Sequence, residues 1–444
     1  MEIWSKIQPS LTRRILLPVF TALSGSSYLS YLKRTREDQW LKREKIQQKQ
    51  IKNIKDLLVH AYETTAYYRQ VFDYNDFSPY NFHDYRELKK IPILNKDIIR
   101  QRFKDLISRK YPINKLKKMA TGGSTGQPLN FYTTPERELR HASTTALNLE
   151  WAGLRLGDRL AMLWGAPFDI SKSKSIKGRV ENILLGRLLL PTFILSDEIF
   201  ARYHKLIIRF RPKSLLGYTS CLIEFAKYIQ ANNLIVPGLC SVISGAETLY
   251  PWQRELLEKV FKCTVFDRYG GRDSGAIAAE CPENHSLHLN ENLLYAENTV
   301  DGNILITDLW NYGMPFIRYN TEDLGEIGNQ ICACGRQSRL MLNLKGRVHD
   351  MLLTPDGRKV PGEFFPHLFK DVGSVKKFQV VQYSRDKLYI RIVKDKNIFN
   401  DRDIEYLKTH ISDYFGNVSL NFEYVDEIPK SSSGKHRFTI LNIK

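Results

Sequence analysis

Ser241-Val242-Ile243-Ser244-Gly245-Ala246-Glu247 is followed, after the run Pro251–Phe261, by Thr264-Val265-Phe266-Asp267-Arg268-Tyr269-Gly270-Gly271-Arg272-Asp273. Each segment is a short apolar run that ends in small or polar residues, as a strand of a buried sheet does. The stretch between them has helical spacing. Strand, helix, strand is the unit of an α/β fold, in which binding loops gather at strand ends. Working outward, Leu160–Trp164, Ser214–Leu216 and Ile304–Ile306 repeat the strand pattern, and Leu222–Ala231 fills another helical slot. Leu129-Asn130-Phe131-Tyr132 reads as a further strand. Toward the N-terminus, Ile51, Ile54, Leu57, Leu58, Ala61 and Tyr62 keep the spacing of an amphipathic helix, after a charged stretch at Arg34–Gln50.

The pattern changes near Asp350. Phe378–Tyr383 and Leu388–Ile392 read as two strands around a polar turn at Ser384–Lys387; a helix near Asp403–Phe415 and a strand near Val418–Val425 follow. These make a compact α+β module of about ninety residues. The chain is therefore expected to divide into an N-terminal segment (1–40), a large α/β body (41–349) and a small C-terminal domain (350–444). A polar loop, Pro429-Lys430-Ser431-Ser432-Ser433-Gly434-Lys435, lies near the end of that domain.

Composition narrows the function classes. The 444 residues are 43% hydrophobic and 26% charged, which excludes disorder and a polytopic membrane protein. The balance of 66 basic against 48 acidic residues gives +18, so anionic partners are expected: nucleotides, phosphates or an acidic lipid surface. The charge is spread along the chain and no nucleic-acid-binding motif occurs, so nucleic acid is not an expected partner. Six cysteines in this length make no disulfide framework, and a reducing, cytoplasmic setting follows. Ile15–Leu32 carries no formal charge and is flanked by Arg13-Arg14 and Lys33-Arg34. Pro18, Gly25 and several Ser and Thr residues dilute it, so it reads as a packed or surface-lying segment, with peripheral membrane contact as the other reading.

Six motifs in fixed order carry the chemistry. Thr121-Gly122-Gly123-Ser124-Thr125-Gly126-Gln127-Pro128 can turn backbone N–H groups and hydroxyls toward a polyphosphate, though without the lysine of a Walker loop. Ser244–Glu247 and Asp267–Asp273 end consecutive strands. Tyr319-Asn320-Thr321-Glu322-Asp323, Gly346-Arg347-Val348-His349-Asp350 and Ser433-Gly434-Lys435 follow. As an ordered set they resemble the adenylate-forming superfamily, specifically its phenylacetate–CoA ligase/CapK-like branch. Leu57-Leu58-Val59-His60-Ala61-Tyr62, Tyr67-Tyr68-Arg69 and Met314-Pro315-Phe316-Ile317-Arg318-Tyr319 look like further signatures of that branch.

The resemblance implies a large adenylate-forming domain with a small mobile lid, and a two-step reaction. A carboxylate attacks the α-phosphorus of ATP, giving an acyl-adenylate and pyrophosphate; a nucleophile, often the thiol of coenzyme A, then takes the acyl group. Charge gathers on phosphate oxygens in the first step, so cations and aligned N–H donors accelerate it. It implies that Ser124, Thr125 and Gly126 hold phosphates, and that Ala246, Glu247, Tyr269 and Gly270 line the adenine side. Asp273 takes the acidic position that helps hold Mg2+, Asp323 accepts from ribose hydroxyls with Arg347 nearby, and Lys435 reaches the bond being formed. Val348-His349-Asp350 fits the hinge about which the lid rotates. Taken singly, each residue also has a plain structural reading: a turn carboxylate, a surface cation, a core aromatic.

Three departures from the family pattern stand out. Gln127 replaces a common lysine, Asp273 a common glutamate, and Glu322 a glycine before the ribose aspartate. Cys281, His285, Cys332 and Cys334 offer three thiolates and an imidazole, a structural zinc set that similar members of the branch also carry, with His288 a competing ligand. Such a metal would pin the loop after Asp273; the alternative is plain reduced thiols. The resemblance further implies a role in cell-surface polysaccharide assembly, with the acyl group ending on coenzyme A or on a sugar or carrier. A nucleotide-binding, membrane-associated scaffold is the non-enzymatic alternative. Trp164, Gly217 and Tyr218 are candidates for the acyl pocket.

Overall fold

The computed structural model describes residues 2–121, 129–164, 178, 181–183, 185–192, 195–344, 352–360, 362, 364–369, 372, 374–395, 399–428 and 438–443. Its centre is a nine-stranded sheet. Arg187–Leu190, Leu160–Leu163, Ser214–Tyr218, Ser241–Gly245 and Thr264–Gly271 lie side by side in parallel. Gly275–Cys281, Asn284–Leu289, Leu340–Met341 and Ile327–Gly328 extend it antiparallel. The change of sense follows from the connections. Parallel neighbours need a crossover, supplied by helices Asp197–Phe210, Thr219–Ala231 and Pro251–Phe261. Thr264–Gly271 instead returns through three residues, which only an antiparallel hairpin allows.

Ile304–Ile306 is not part of this sheet. It belongs to Asn303–Asp308, the middle of a three-stranded antiparallel sheet with Leu294–Asn298 and Tyr319–Leu324. The strand is buried along nearly its whole length, so its apolar run reads like a parallel core strand. The expected helix around residues 51–62 is Arg43–Thr64, and its buried Ile54, Leu57, Leu58 and Ala61 join one core with Phe72, Phe131, Leu294, Ile306 and Phe316. Lys117–Ala120 and Asn130–Thr133 form a separate hairpin.

The C-terminal portion has its own core. Val375–Ser384, Lys387–Lys394, Ser419–Tyr424 and Thr439–Leu441 form a four-stranded sheet, with helices Phe364–Phe369 and Asp401–Phe415 contributing apolar residues. The α/β class with a large multi-sheet body and a smaller α+β portion is the one expected from sequence. At the N-terminus, helix Glu2–Leu11, a π-helical turn Thr12–Leu16 and helix Leu17–Leu23 precede Tyr28–Asp38. Among the described residues, no helix is long and apolar enough to cross a membrane.

Candidate active site

The site forms where the parallel strands end. Ser241–Gly245 runs buried into Ala246, which takes a left-handed backbone (φ 68°) and turns the chain out of the sheet. The Glu247 carboxylate then accepts from the Ser220 N–H (2.6 Å) and the Ser220 hydroxyl (2.9 Å). Glu247 thus satisfies the first turn of helix Thr219–Ala231, where anionic groups are favoured. The side chain holds the loop shape and leaves the exposed Ala246 at the strand end.

The next strand supplies Tyr269 and Gly270. A register shift falls between them, and a Cβ on Gly270 would sit 2.2 Å from the Gly275 carbonyl oxygen. Only glycine fits there. Tyr269 donates its hydroxyl to Asp323 Oδ2 at 2.9 Å. One of the two oxygens expected to meet a ribose is therefore oriented by the residue expected to line the adenine.

Asp273 lies in the turn between Thr264–Gly271 and Gly275–Cys281. Its Oδ2 accepts from the Tyr319 hydroxyl (2.6 Å) and its Oδ1 from the Ser274 N–H (3.0 Å). Arg137 Nη2 donates to its backbone carbonyl at 2.9 Å. A carboxylate offers about four lone-pair sites, so two donors leave capacity for a cation. Arg137 is buried on helix Pro135–Trp151 and pairs with buried Asp308 at 2.6 Å. Burial alone would push the Asp308 carboxyl up, but the adjacent Arg137 guanidinium holds it well below the usual range. That helix begins at Thr134, whose hydroxyl accepts from the Arg137 N–H, and Thr134 directly follows the Asn130–Thr133 strand. At the other end of that hairpin, Thr121 and Leu129 bond across the stem. The stem of the candidate phosphate loop is thus tied through Thr134 and Arg137 to Asp273.

Tyr319 and Asp323 share the strand Tyr319–Leu324, and the expected signature segments are what fix its entry. The Tyr68 hydroxyl donates to the Pro315 carbonyl and accepts from the Ile317 N–H, each at 3.1 Å. His60 Nε2 meets the Tyr312 carbonyl at 2.8 Å. Arg318, left-handed at φ 52°, pairs with Glu297 at 2.9 Å. Glu322 also has positive φ (64°), the conformation for which glycine is the usual choice. Its carboxylate pairs with buried Lys96 at 2.5 Å, an attraction that offsets the backbone cost. The side chain in place of glycine is therefore anchored.

Ala246, Glu247, Tyr269, Gly270, Asp273 and Asp323 all lie at the ends of Ser241–Gly245 and Thr264–Gly271 or on the facing strand Tyr319–Leu324. Ser124, Thr125, Gly126 and Gln127 lie outside the described residues, as do Arg347, the 348–350 hinge and Lys435. Tyr319, Lys96, Arg137 and Asp308 carry supporting roles that sequence reading missed. Tyr319 stands inside a quoted motif; the other three have no local signal, because their partners are remote in sequence. Trp164 stacks on Tyr218 with centroids 4.3 Å apart. Gly217 is buried core, where a Cβ would lie 3.0 Å from the Leu163 carbonyl oxygen.

A second cluster joins Cys281, His288, Cys332 and Cys334, whose ligand atoms all lie within 4.8 Å of one another. His288, not His285, is the imidazole. Within the strand Asn284–Leu289 the two histidines point to opposite faces, and His285 is exposed. Asn284 shares the His288 face and donates to Cys332 Sγ at 3.2 Å. Cys281 and Cys332 Sγ atoms are 3.6 Å apart and Cys334 Sγ is 3.4 Å from His288 Nε2, spacings that suit tetrahedral zinc with bonds of about 2.0–2.3 Å. Burial, reinforced by Arg336, pulls His288 down to about 4, so its imidazole is neutral and fit to ligate. Its Nδ1 meets the Ser338 hydroxyl at 2.9 Å, which fixes the ring. The cluster does not pin the loop after Asp273. It sits at the opposite end of Gly275–Cys281, about 20 Å along the strand. It joins the hairpin after Cys281 to the turn at Cys332–Gly335.

Comparison with known proteins gives a consistent picture. Residues 352–442 match the CapK C-terminal domain. The chain is similar to Protein CapK of Staphylococcus aureus, 28% identical over 366 residues, covering 80% of this chain and 81% of the relative. It is also similar to phenylacetate-coenzyme A ligase of Escherichia coli (strain K12), 24% identical over 345 residues, covering 74% and 77%. The fold is shared with 2-hydroxyisobutyryl-CoA ligase in its postadenylation state, with a TM-score of 0.60 at 17% identity and 90% of each chain covered.

Proposed function

We propose that this chain, which belongs to the phenylacetate–CoA ligase/CapK-like branch of the adenylate-forming superfamily, is an AMP-forming ligase that activates a carboxylic acid. The observation that carries the reading is the pairing of Tyr269 with Asp323 and of Tyr319 with Asp273 where the ends of the main sheet's parallel strands meet the three-stranded sheet. Nucleotides bind at the carboxyl ends of parallel strands in open α/β sheets, which is where these pairs lie.

In this reading ATP enters with its adenine against the Ala246 turn and Tyr269. Asp323, aligned by Tyr269, accepts from the ribose hydroxyls, and residues 124–126 meet the phosphates. The substrate carboxylate displaces pyrophosphate from the α-phosphorus, giving the mixed anhydride of acid and AMP; Lys435 screens the charge that gathers on the oxygens. A thiol, coenzyme A in the simplest case, then attacks the acyl carbon and AMP leaves. Mg2+ held at Asp273 would supply further charge neutralisation at the phosphates. Residues 350–444 act as a lid that turns about 348–350 between the two steps. The likeness to CapK supports placing the reaction in cell-surface polysaccharide assembly, where a sugar or carrier is the other candidate acceptor.

The test is a panel of carboxylic acids in an ATP-dependent pyrophosphate-release assay, with and without coenzyme A. One acid should release pyrophosphate; a thioester forming only with coenzyme A identifies the acceptor, and its absence points to a sugar or carrier. No release with any acid would favour a nucleotide-binding scaffold. Tyr319→Phe removes the donor that orients Asp273, and is expected to raise the Mg2+ concentration for half-maximal release about tenfold with little loss of folding stability.

The cysteine cluster is read as a structural zinc centre, since four protein ligands leave no open position for catalysis. Metal analysis should give about one zinc per chain, and Cys332→Ser should lose it together with thermal stability. His285→Ala should keep the metal. Purified protein with well under one zinc per chain, and a Cys332→Ser variant as stable as the parent, would contradict this.

A further inference from the structure

The N-terminal helices are amphipathic in the inverted sense. Gln8, Thr12 and Thr21 are buried. Gln8 donates to Thr12 Oγ1 (3.2 Å), Thr12 packs at Gly157, and Arg13 pairs with Asp158 at 2.6 Å. The helices are thus fixed to the body largely through polar groups, with Leu17 the buried apolar residue of helix Leu17–Leu23.

Ile7, Leu11, Ile15, Val19 and Leu23, spaced by four, lie on the other side. Ile7, Ile15, Val19 and Phe20 are 51–56% exposed and Leu23 is 85% exposed. The π-helical turn Thr12–Leu16 rotates less per residue than an α-turn, so a four-residue repeat stays in line through it. An aliphatic stripe left in water while glutamine and threonine side chains are buried is the reverse of what folding in water favours. The charge beside the stripe has one sign. From Ile3 to Arg36 the sequence has no Asp or Glu, while Arg14, Lys33 and Arg34 are exposed.

We infer that this face docks on an anionic lipid surface, with the helices lying in the bilayer plane, Ile15, Val19, Phe20 and Leu23 entering the acyl boundary and the basic groups meeting the headgroups. An aliphatic stripe flanked by cations is what such a surface binds. The inference does not rest on the ligase reading, because its test involves no nucleotide chemistry.

The full chain is mixed with vesicles of phosphatidylcholine containing about 30% phosphatidylglycerol, or with phosphatidylcholine alone, and floated on a density gradient. The parent chain should float with the anionic vesicles. Ile15→Glu/Leu23→Glu should bind more than about tenfold more weakly, and Val300→Glu, on a remote exposed turn, should bind like the parent. Hydrogen exchange on the parent, which needs no variant, should show protection of residues 7–23 with anionic vesicles. No flotation of the parent, equal flotation on pure phosphatidylcholine, or unchanged exchange would overturn the inference. So would a parent chain that dimerises through the stripe and fails to float, which would make a second copy the occupant.

Discussion

Lys435→Ala is expected to lower acid-dependent pyrophosphate release by about a hundredfold to a thousandfold, while acyl transfer to coenzyme A from a pre-made acyl-adenylate stays within about twofold of the parent. The reasoning is one of timing. The ammonium group is needed while negative charge builds on the α-phosphate and its neighbours. Once the mixed anhydride exists, the electrophile is the acyl carbon, and a rotated lid presents another face to the thiol. Both partial reactions are measured on the same preparation, so a folding defect would lower them together. Equal loss of both would contradict the division of labour. Asp323→Ala, by contrast, should weaken both steps, because the ribose is held throughout.

Arg137→Met or Asp308→Leu is expected to cost about 3–5 kcal/mol of folding stability, read as a shift in the urea midpoint. Each change strands one member of a pair in which both side chains are buried. Arg137 also loses its bond to the Asp273 carbonyl, so what survives of Arg137→Met should bind Mg2+ poorly. The double variant Arg137→Met/Asp308→Leu should recover much of the stability but not the activity, which separates the buried charge from the positioning of Asp273. The pH dependence has a definite sign. Asp308 is held below its ordinary value in the folded chain, so its contribution is fully present above about pH 4 and is lost as the pH falls below it. His141, which lies 3.6 Å from Asp308, is pulled down chiefly by burial and then by Arg137. It resists protonation and adds to destabilisation as the pH drops through the usual histidine range.

The strand endings were the most legible part of the sequence. Runs such as Ser241–Gly245 are buried on both faces and stop at small or polar residues, so local composition alone marks them, and the helical run Pro251–Phe261 coincides with the helix. The Ile304–Ile306 run shows the limit: burial on both faces looks the same in an antiparallel second sheet. Tyr269, Asp273 and Asp323 were legible as motif members. Their mutual hydrogen bonds were not, because Tyr269 and Asp323 are brought together only by the packing of two sheets. The four-residue spacing from Cys281 favours His285, whereas strand alternation decides that His288 faces the thiols. Lys96 looked like any helix-start lysine; its pairing with Glu322 depends on a turn more than two hundred residues away. The polar-inward N-terminal helices also escaped composition, since the sequence shows the apolar stripe but not which side meets the body.

The most direct measurement follows oxygen. The active acid is supplied with both carboxylate oxygens as 18O, and AMP is recovered after one turnover with the thiol acceptor. Attack of the carboxylate on the α-phosphorus places one labelled oxygen in the AMP phosphate and none in pyrophosphate. Label appearing in inorganic phosphate beside ADP, or AMP released without label, would contradict the reaction assigned to this chain.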